Sequence, residues 1–112
     1  PVNLSGGMRK RVALARAIIS PPDVILYDEP TAGLDPIVSD SINKLIRHLQ
    51  HELHVTSIVV THDMVSCNHI ADRVALLNEG RIYFLGTLED LQKTTDPIIR
   101  DFVDGRSGET IY

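Results

Sequence analysis

An uninterrupted apolar run, Val24–Tyr27, ends abruptly at two carboxylates, and this feature constrains the fold most. A run of four apolar residues without alternation is typical of a strand buried on both faces, as in a parallel sheet. Asp28 and Glu29 follow directly, before Pro30 ends any further strand pairing. The sequence therefore predicts an interior strand whose carboxyl end presents two acids.

A long amphipathic helix and a second strand come next. Asp35 followed by Pro36 is a strong helix start, and apolar residues then recur at helical spacing to about residue 53. A β-branched run, 57–61, predicts the second strand. Strand, helix and strand in this order favour a parallel pair joined by a crossover. The predicted fold class is α/β, a parallel sheet with flanking helices.

Weaker patterns complete the prediction. The further elements are a first helix that begins after Ser5 and ends before Pro21, a short helix after Asp63, a β-hairpin formed by Arg73–Leu77 and Arg81–Leu85, and closing helices at Leu88–Lys93 and Pro97–Val103. We divide the chain into residues 1–20, a core of 21–86, and a closing segment of 87–112. Gly105–Tyr112 is predicted to be a loose tail.

Composition excludes several classes of protein. With 112 residues, the chain has room for one domain at most. Its net charge of −4 disfavours a protein that coats nucleic acid, although the first helix carries only bases: Arg9, Lys10, Arg11 and Arg16. Cys67 is the only cysteine, so an internal disulfide is excluded. Apolar runs are all shorter than the roughly 18 residues that a membrane span needs.

Three features could carry chemistry. Asp28 and Glu29 could divide the work of holding Mg²⁺ and activating water, because adjacent strand residues point in different directions. His62 follows the second strand and would meet these acids if the strands are neighbours. Gly6 and Gly7 precede a helix, where backbone N–H groups can approach an anion. Each feature alone also has an ordinary explanation, as a strand end, a surface histidine or a flexible helix entry.

Their order along the chain is more specific. Four segments in sequence resemble the signature, Walker B, D-loop and H-loop motifs of ABC-type ATPase domains. They are Leu4-Ser5-Gly6-Gly7-Met8, Ile25-Leu26-Tyr27-Asp28-Glu29-Pro30-Thr31, Gly33-Leu34-Asp35 and Thr61-His62-Asp63. The resemblance covers residues 1 to about 86 and implies a P-loop NTPase-like core.

The resemblance also implies roles. Ser5, Gly6, Gly7 and Met8 of the signature would contact the γ-phosphate of ATP held by the opposite subunit of a head-to-tail dimer. Asp28 would hold Mg²⁺ through its water shell, Glu29 would polarise the hydrolytic water, and His62 would bind the γ-phosphate. Asp35 would communicate across the dimer. ATP and Mg²⁺ are the implied cofactors.

Two departures from the family pattern matter. Met8 stands where the signature usually has glutamine, so one side-chain contact is lost while the glycine amides remain. The sequence also contains neither a Walker A GxxxxGK[ST] loop nor a Q-loop, which precede the signature in the family. We therefore expect a fragment truncated at its N-terminus, inactive in ATP hydrolysis when isolated.

Two segments narrow the resemblance to phospholipid-trafficking, Mce-type (toluene-tolerance) ATPases: Leu4–Met8 followed by basic residues, and the closing Asp96–Gly105. The closing segment alone could also be an amphipathic helix without diagnostic value, but the two segments agree. On that basis we expect an ATPase subunit that powers phospholipid transport at a bacterial inner membrane. It would lie on the cytoplasmic face with a second ATPase subunit, transmembrane permease subunits and an Mce-type substrate-binding protein, without nucleic acid. The alternatives are an ABC ATPase of another import or export system and a non-transport ABC protein of DNA repair or ribosomes.

Overall fold

The computed structural model describes residues 6–17, 19–20 and 22–105. Two compact units make up the chain, Pro1–Ile70 and Ala71–Tyr112. The first unit contains α1 (Gly6–Ala17), β1 (Val24–Asp28), α2 (Pro36–Leu53), β2 (Thr56–Val60) and α3 (Met64–Ile70). The second contains β3 (Arg73–Asn78), β4 (Arg81–Thr87), α4 (Leu88–Lys93) and α5 (Pro97–Val103). The predicted alternation of strand, long helix and strand is confirmed, and β2 begins and ends one residue earlier than expected.

Local sequence signals set both ends of α2. The Asp35 carboxylate accepts a hydrogen bond of 2.9 Å from the N–H of Val38, and Pro36 occupies the first turn. At the other end His54 adopts a left-handed conformation with φ of 53° and donates its N–H to the carbonyl of Gln50. Both caps satisfy backbone groups that a helix leaves unpaired, so the helix has defined ends.

The strands β1 and β2 pair in parallel. Their register runs from Val24 opposite Thr56 to Asp28 opposite Val60. One face of this two-stranded sheet packs against the helices, and the buried cluster consists of Leu14, Ile25, Tyr27, Ile42, Ile46 and Val55. Because parallel strands end at the same edge, the residues after Asp28 and Val60 meet there.

The prediction that Val24–Tyr27 is buried on both faces is wrong for the described residues. Ile25 and Tyr27 are buried, whereas Val24 and Leu26 are 47% and 73% exposed. The reason is the alternation of strand side chains: α1 and α2 contribute to the core on one side only. On β2, Ile58 and Val60 are exposed as well, so the sheet has an uncovered apolar face within the described residues.

The second unit is an antiparallel hairpin followed by two short helices. Glu79 and Gly80 connect the strands with φ values of 52° and 74°, the left-handed pair that a tight two-residue turn requires. The pairing shifts between Leu76 and Leu77, which marks a bulge. The predicted bounds of both closing helices are confirmed.

Capping residues fix these two helices. Thr87 and Asp90 form a reciprocal capping box at α4, and Asp96 accepts from the N–H groups of Ile98 and Ile99 at α5. Within the described residues, no helix is long and apolar enough to cross a membrane. Residues 1–5 and 106–112, which include Ser5 and most of the predicted tail, lie outside the described part of the chain.

Candidate ATP-hydrolysis site at the carboxyl ends of the parallel strands

The structure brings Glu29 and His62 into contact. Each lies in the loop that follows one of the paired strands, and His62 Nδ1 is 2.9 Å from Glu29 Oε1. The expectation that the two residues meet is confirmed, since β1 and β2 are neighbours. The Glu29 side chain is 31% exposed and that of His62 is 81% exposed. A carboxylate and an imidazole in this position are both open to a ligand from solvent.

The backbone holds Glu29 in an uncommon conformation. Its φ is 47°, in the left-handed region that non-glycine residues rarely occupy. The N–H of Glu29 donates to the carbonyl of Val60 at 2.7 Å, and the Glu29 carbonyl accepts from Lys10 Nζ at 3.3 Å and from the N–H of Ala32. These bonds turn the chain sharply out of the sheet and direct the carboxylate toward His62.

The contact changes the protonation of His62. The hydrogen bond to Glu29 and the negative charge of that carboxylate raise the pKa of His62 above 6.5, against a small opposing effect of desolvation. The negative charge of the Asp63 carboxylate also raises the pKa of His62. The imidazole is therefore stabilised in its cationic form, which suits contact with a phosphate oxygen.

Asp28 fits a role at a hard cation. It ends β1, its side chain is exposed, and within the described residues its carboxylate has no hydrogen-bond or ion-pair partner. Mg²⁺ keeps several waters and is commonly held by one or two carboxylates together with substrate phosphates. Among the described residues, no group of three or more His, Cys, Asp and Glu side chains is placed to hold a metal ion.

The glycines of the signature segment pack closely against α2 and the loop before it. A Cβ on Gly6 would lie 2.8 Å from Leu34 Cδ2, and a Cβ on Gly7 would lie 2.6 Å from Val38 Cγ1. The flexible end of Leu34 could move aside for a Cβ on Gly6, whereas a Cβ on Gly7 would press against the β-branched side chain of Val38. Gly7 therefore has a packing role beside the predicted anion-binding role. Asp35, expected to act across a dimer, is exposed and caps α2 with one carboxylate oxygen.

Two basic residues of α1 contact other segments of the same unit. Lys10 donates to the Glu29 carbonyl and Arg11 donates to Ser41 Oγ, so both cations are held against their own unit. Arg9 also has a partner, and Arg16 is exposed in the last turn of α1. Met8 is 50% exposed near the start of the same helix.

The sequence analysis did not predict a buried polar cluster that lies next to the site. Thr31, Asn43, Asp63 and Ser66 are linked by side-chain hydrogen bonds between 2.8 and 3.2 Å. Thr31, Asn43 and Ser66 are at most 5% exposed. An asparagine within the apolar stripe of α2 was the available signal, but its partners lie in other elements and could not be read from periodicity.

Known proteins are similar in sequence to most of this chain. The family model described as ABC transporter matches residues 1–32. The ATP-binding protein MlaF of the intermembrane phospholipid transport system of Escherichia coli (strain K12) is 46% identical over 105 residues, which covers 94% of this chain and 39% of that protein. Over nearly its whole length, the chain is thus similar to an ABC transporter ATP-binding protein.

Other ABC proteins are similar to this chain to a comparable degree. The sulfate/thiosulfate import ATP-binding protein CysA of Nocardia farcinica is 47% identical over 91 residues, covering 81% of this chain and 28% of that protein. A solved dimeric structure of the ATP-binding cassette MJ0796, in a post-hydrolysis state with ADP and Pi, has a TM-score of 0.67 at 38% identity. It covers 79% of this chain and 38% of the other. The chain thus spans about two fifths or less of the length of these ABC proteins.

Proposed function

We propose that this chain supplies the second half of an ATP-hydrolysis site in an ABC transporter that moves phospholipid at a bacterial inner membrane. The observation that carries the proposal is the 2.9 Å contact between Glu29 and His62 at the carboxyl ends of paired parallel strands. Ligands of open α/β sheets bind at this edge. The relative MlaF, named for phospholipid transport, aligns with nearly the whole chain.

Each site residue then has a task. Glu29 orients and polarises the attacking water, because its carboxylate is partly exposed at the strand end. His62, whose raised pKa favours the cation, donates a hydrogen bond to a γ-phosphate oxygen. Asp28 holds the water shell of Mg²⁺, which when bound neutralises phosphate charge.

The remaining site residues act across a dimer in this proposal. Ser5, Gly6, Gly7 and Met8 contact ATP held by a second ATPase subunit, and Asp35 lies beside that interface. The amides of a glycine-containing helix start are suited to an anion because they are unpaired and close to the helix dipole. The subunit works on the cytoplasmic face of the membrane with permease subunits and an Mce-type substrate-binding protein.

The test uses the natural full-length protein. Glu29→Gln keeps the size of the side chain and removes the charge that activates water, so ATP turnover should fall by roughly 100-fold or more while ATP still binds. Glu79→Gln, at the hairpin turn, is the matched control and should keep turnover. Wild-type turnover in Glu29→Gln would overturn the role of Glu29.

Sulfate or thiosulfate import is the second candidate. It is favoured by CysA of Nocardia farcinica, which matches this chain at nearly the same identity as MlaF. Reconstitution of the full-length protein with the permease subunits of its own operon separates the two. ATP turnover stimulated by phospholipid supports the first candidate, and turnover stimulated by a sulfate-loaded binding protein supports the second.

A further inference from the structure

Two loops bear the candidate catalytic pair, and a buried polar cluster joins them. Thr31 is two residues after Glu29, and Asp63 is the residue after His62. The Thr31 hydroxyl donates to Asp63 Oδ2 at 3.2 Å, so a second side-chain hydrogen bond joins the two loops beside the Glu29–His62 contact.

Ser66 and Asn43 anchor this bond to two helices. Ser66 Oγ on α3 donates to the same Asp63 oxygen at 2.8 Å and lies 3.2 Å from Thr31 Oγ1. Asn43 Nδ2 on α2 donates to Ser66 Oγ at 2.9 Å. The cluster therefore connects both loops to α2 and α3 of the same unit. We name Thr31, Asn43, Asp63 and Ser66 the loop clamp.

The hydrogen bonds of the loop clamp converge on the Asp63 carboxylate. Asp63 Oδ2 accepts from both hydroxyls, while Asp63 Oδ1 accepts from the N–H groups of Val65 and Ser66. With its own proton committed to Asp63, Ser66 Oγ is left to accept from the Asn43 amide. Either hydroxyl could donate in the contact between Thr31 and Ser66, but both lie within hydrogen-bond distance of Asp63 Oδ2. Burial acts to raise the pKa of Asp63, but these hydrogen bonds outweigh it, lower the pKa and favour the carboxylate form.

Glu29 needs such a restraint. Its φ of 47° is uncommon for a residue with a side chain, and such a conformation persists only where the surrounding structure fixes it. The loop that follows is short: the Ala32 N–H donates to the Glu29 carbonyl and the Leu34 N–H to that of Thr31. The buried hydroxyl of Thr31 is the side-chain anchor at the centre of this turn.

We propose that the loop clamp is a positioning device that sets the distance between the Glu29 carboxylate and the His62 imidazole. Thr31 is its key member, because it alone lies in the Glu29 loop and bonds to the His62 loop. The clamp acts through Glu29 and His62 and does not touch the reacting atoms. The importance of the loop clamp for catalysis rests on the proposed function. Its effect on the Glu29–His62 contact is independent of that function.

The first experiment measures the contact without any activity. The ring nitrogen spectrum of His62 is recorded at one fixed pH on the full-length protein labelled with ¹⁵N-histidine, with Glu29→Ala as the reference for a lost contact. Thr31→Val, which keeps the shape and removes the hydroxyl, should move the His62 Nδ1 signal most of the way to this reference. Thr31→Ser should restore it, and Ser57→Ala on β2, outside the clamp, should leave it unchanged.

A second variant covers the case in which Thr31→Val does not fold. Ser66→Ala removes one clamp hydroxyl and leaves the bond from Thr31 to Asp63, so the His62 signal should lie between wild type and the reference. A wild-type His62 spectrum in either variant, with a folded backbone spectrum, would overturn the proposal.

Turnover by the full-length protein gives the second readout. Thr31→Val should lower kcat by roughly 10- to 100-fold with an unchanged KM for ATP, since misplacement of a reacting group impairs the chemical step rather than binding. Thr31→Ser should recover most of kcat. If Glu29→Gln keeps full turnover, the proposed function fails, yet the His62 spectrum still decides whether the clamp sets the contact.

Discussion

His62 Nδ1 and Glu29 Oε1 are 2.9 Å apart although 33 residues separate them in the chain. The parallel pairing of β1 and β2 places both loops at one edge of the sheet, and the buried clamp beside them joins the loops. The two loops that carry this candidate catalytic pair are thus held together by buried hydrogen bonds as well as by the exposed contact itself.

The protonation of His62 should depend on Glu29. Because the hydrogen bond and charge of Glu29 raise the pKa of His62, Glu29→Gln should lower it, as measured by NMR titration of the ring. A raised pKa stabilises the fold below the unfolded value of 6.5, and this contribution is lost as the pH rises through the folded pKa. Glu89→Gln, which removes the same charge from α4, is the control. An unchanged His62 pKa in Glu29→Gln would contradict the contact.

Tyr83 and Asp96 should titrate as partners. The Tyr83 hydroxyl donates to Asp96 Oδ2 at 2.7 Å, and this bond lowers the pKa of Asp96 against an opposing effect of desolvation, with further help from the N–H groups of α5. Tyr83→Phe should raise the pKa of Asp96, measured from its carboxyl ¹³C signal. The contribution of the bond to stability is present above the unfolded pKa of Asp96 and is lost as the pH falls through the folded value. Equal Asp96 titration in both chains would exclude the bond in solution.

Two isoleucines of α2 should differ sharply in their effect on stability. Ile46 is 1% exposed in the core, whereas Ile37 is 84% exposed on the same helix. Ile46→Ala should lower the free energy of unfolding by about 2–5 kcal/mol through lost burial and a cavity. Ile37→Ala should change it by less than about 0.5 kcal/mol. Urea denaturation of both variants measures the difference, and similar costs would contradict the packing of α2.

The uncovered sheet face should promote self-association of the isolated chain. Leu26 and Ile58 lie side by side in the β1–β2 register, 73% and 51% exposed. Such a face can pair with another chain. Leu26→Thr with Ile58→Thr should reduce the fraction of oligomer in light scattering after size exclusion. Ile37 is also an exposed apolar residue but lies on α2, so Ile37→Thr should leave the fraction of oligomer unchanged. Equal association of the wild type, the double variant and Ile37→Thr would show that the contact lies elsewhere.

Local chemistry explains why much of the fold could be predicted. Asp35 with Pro36 begins α2, Glu79 with Gly80 turns the hairpin, and Thr87 begins α4, because each of these signals acts on backbone groups only a few residues away. The order of the motifs likewise predicted the family, and the position of Asp28 and Glu29 at a strand end followed from the apolar run before them.

Interactions distant in sequence had to come from the tertiary structure. Leu26 is as apolar as its neighbours, and only the placement of the helices left it exposed while Ile25 was buried. Thr31 and Ser66 are ordinary polar residues in the sequence, and only the packing of four segments made them a buried cluster around Asp63. The sequence by itself determined the helices, the strands and the family resemblance, since their signals are local or ordered along the chain. The tertiary structure decided which strand face is buried and how Glu29 meets His62, because burial and long-range hydrogen bonds depend on where separate segments lie in space.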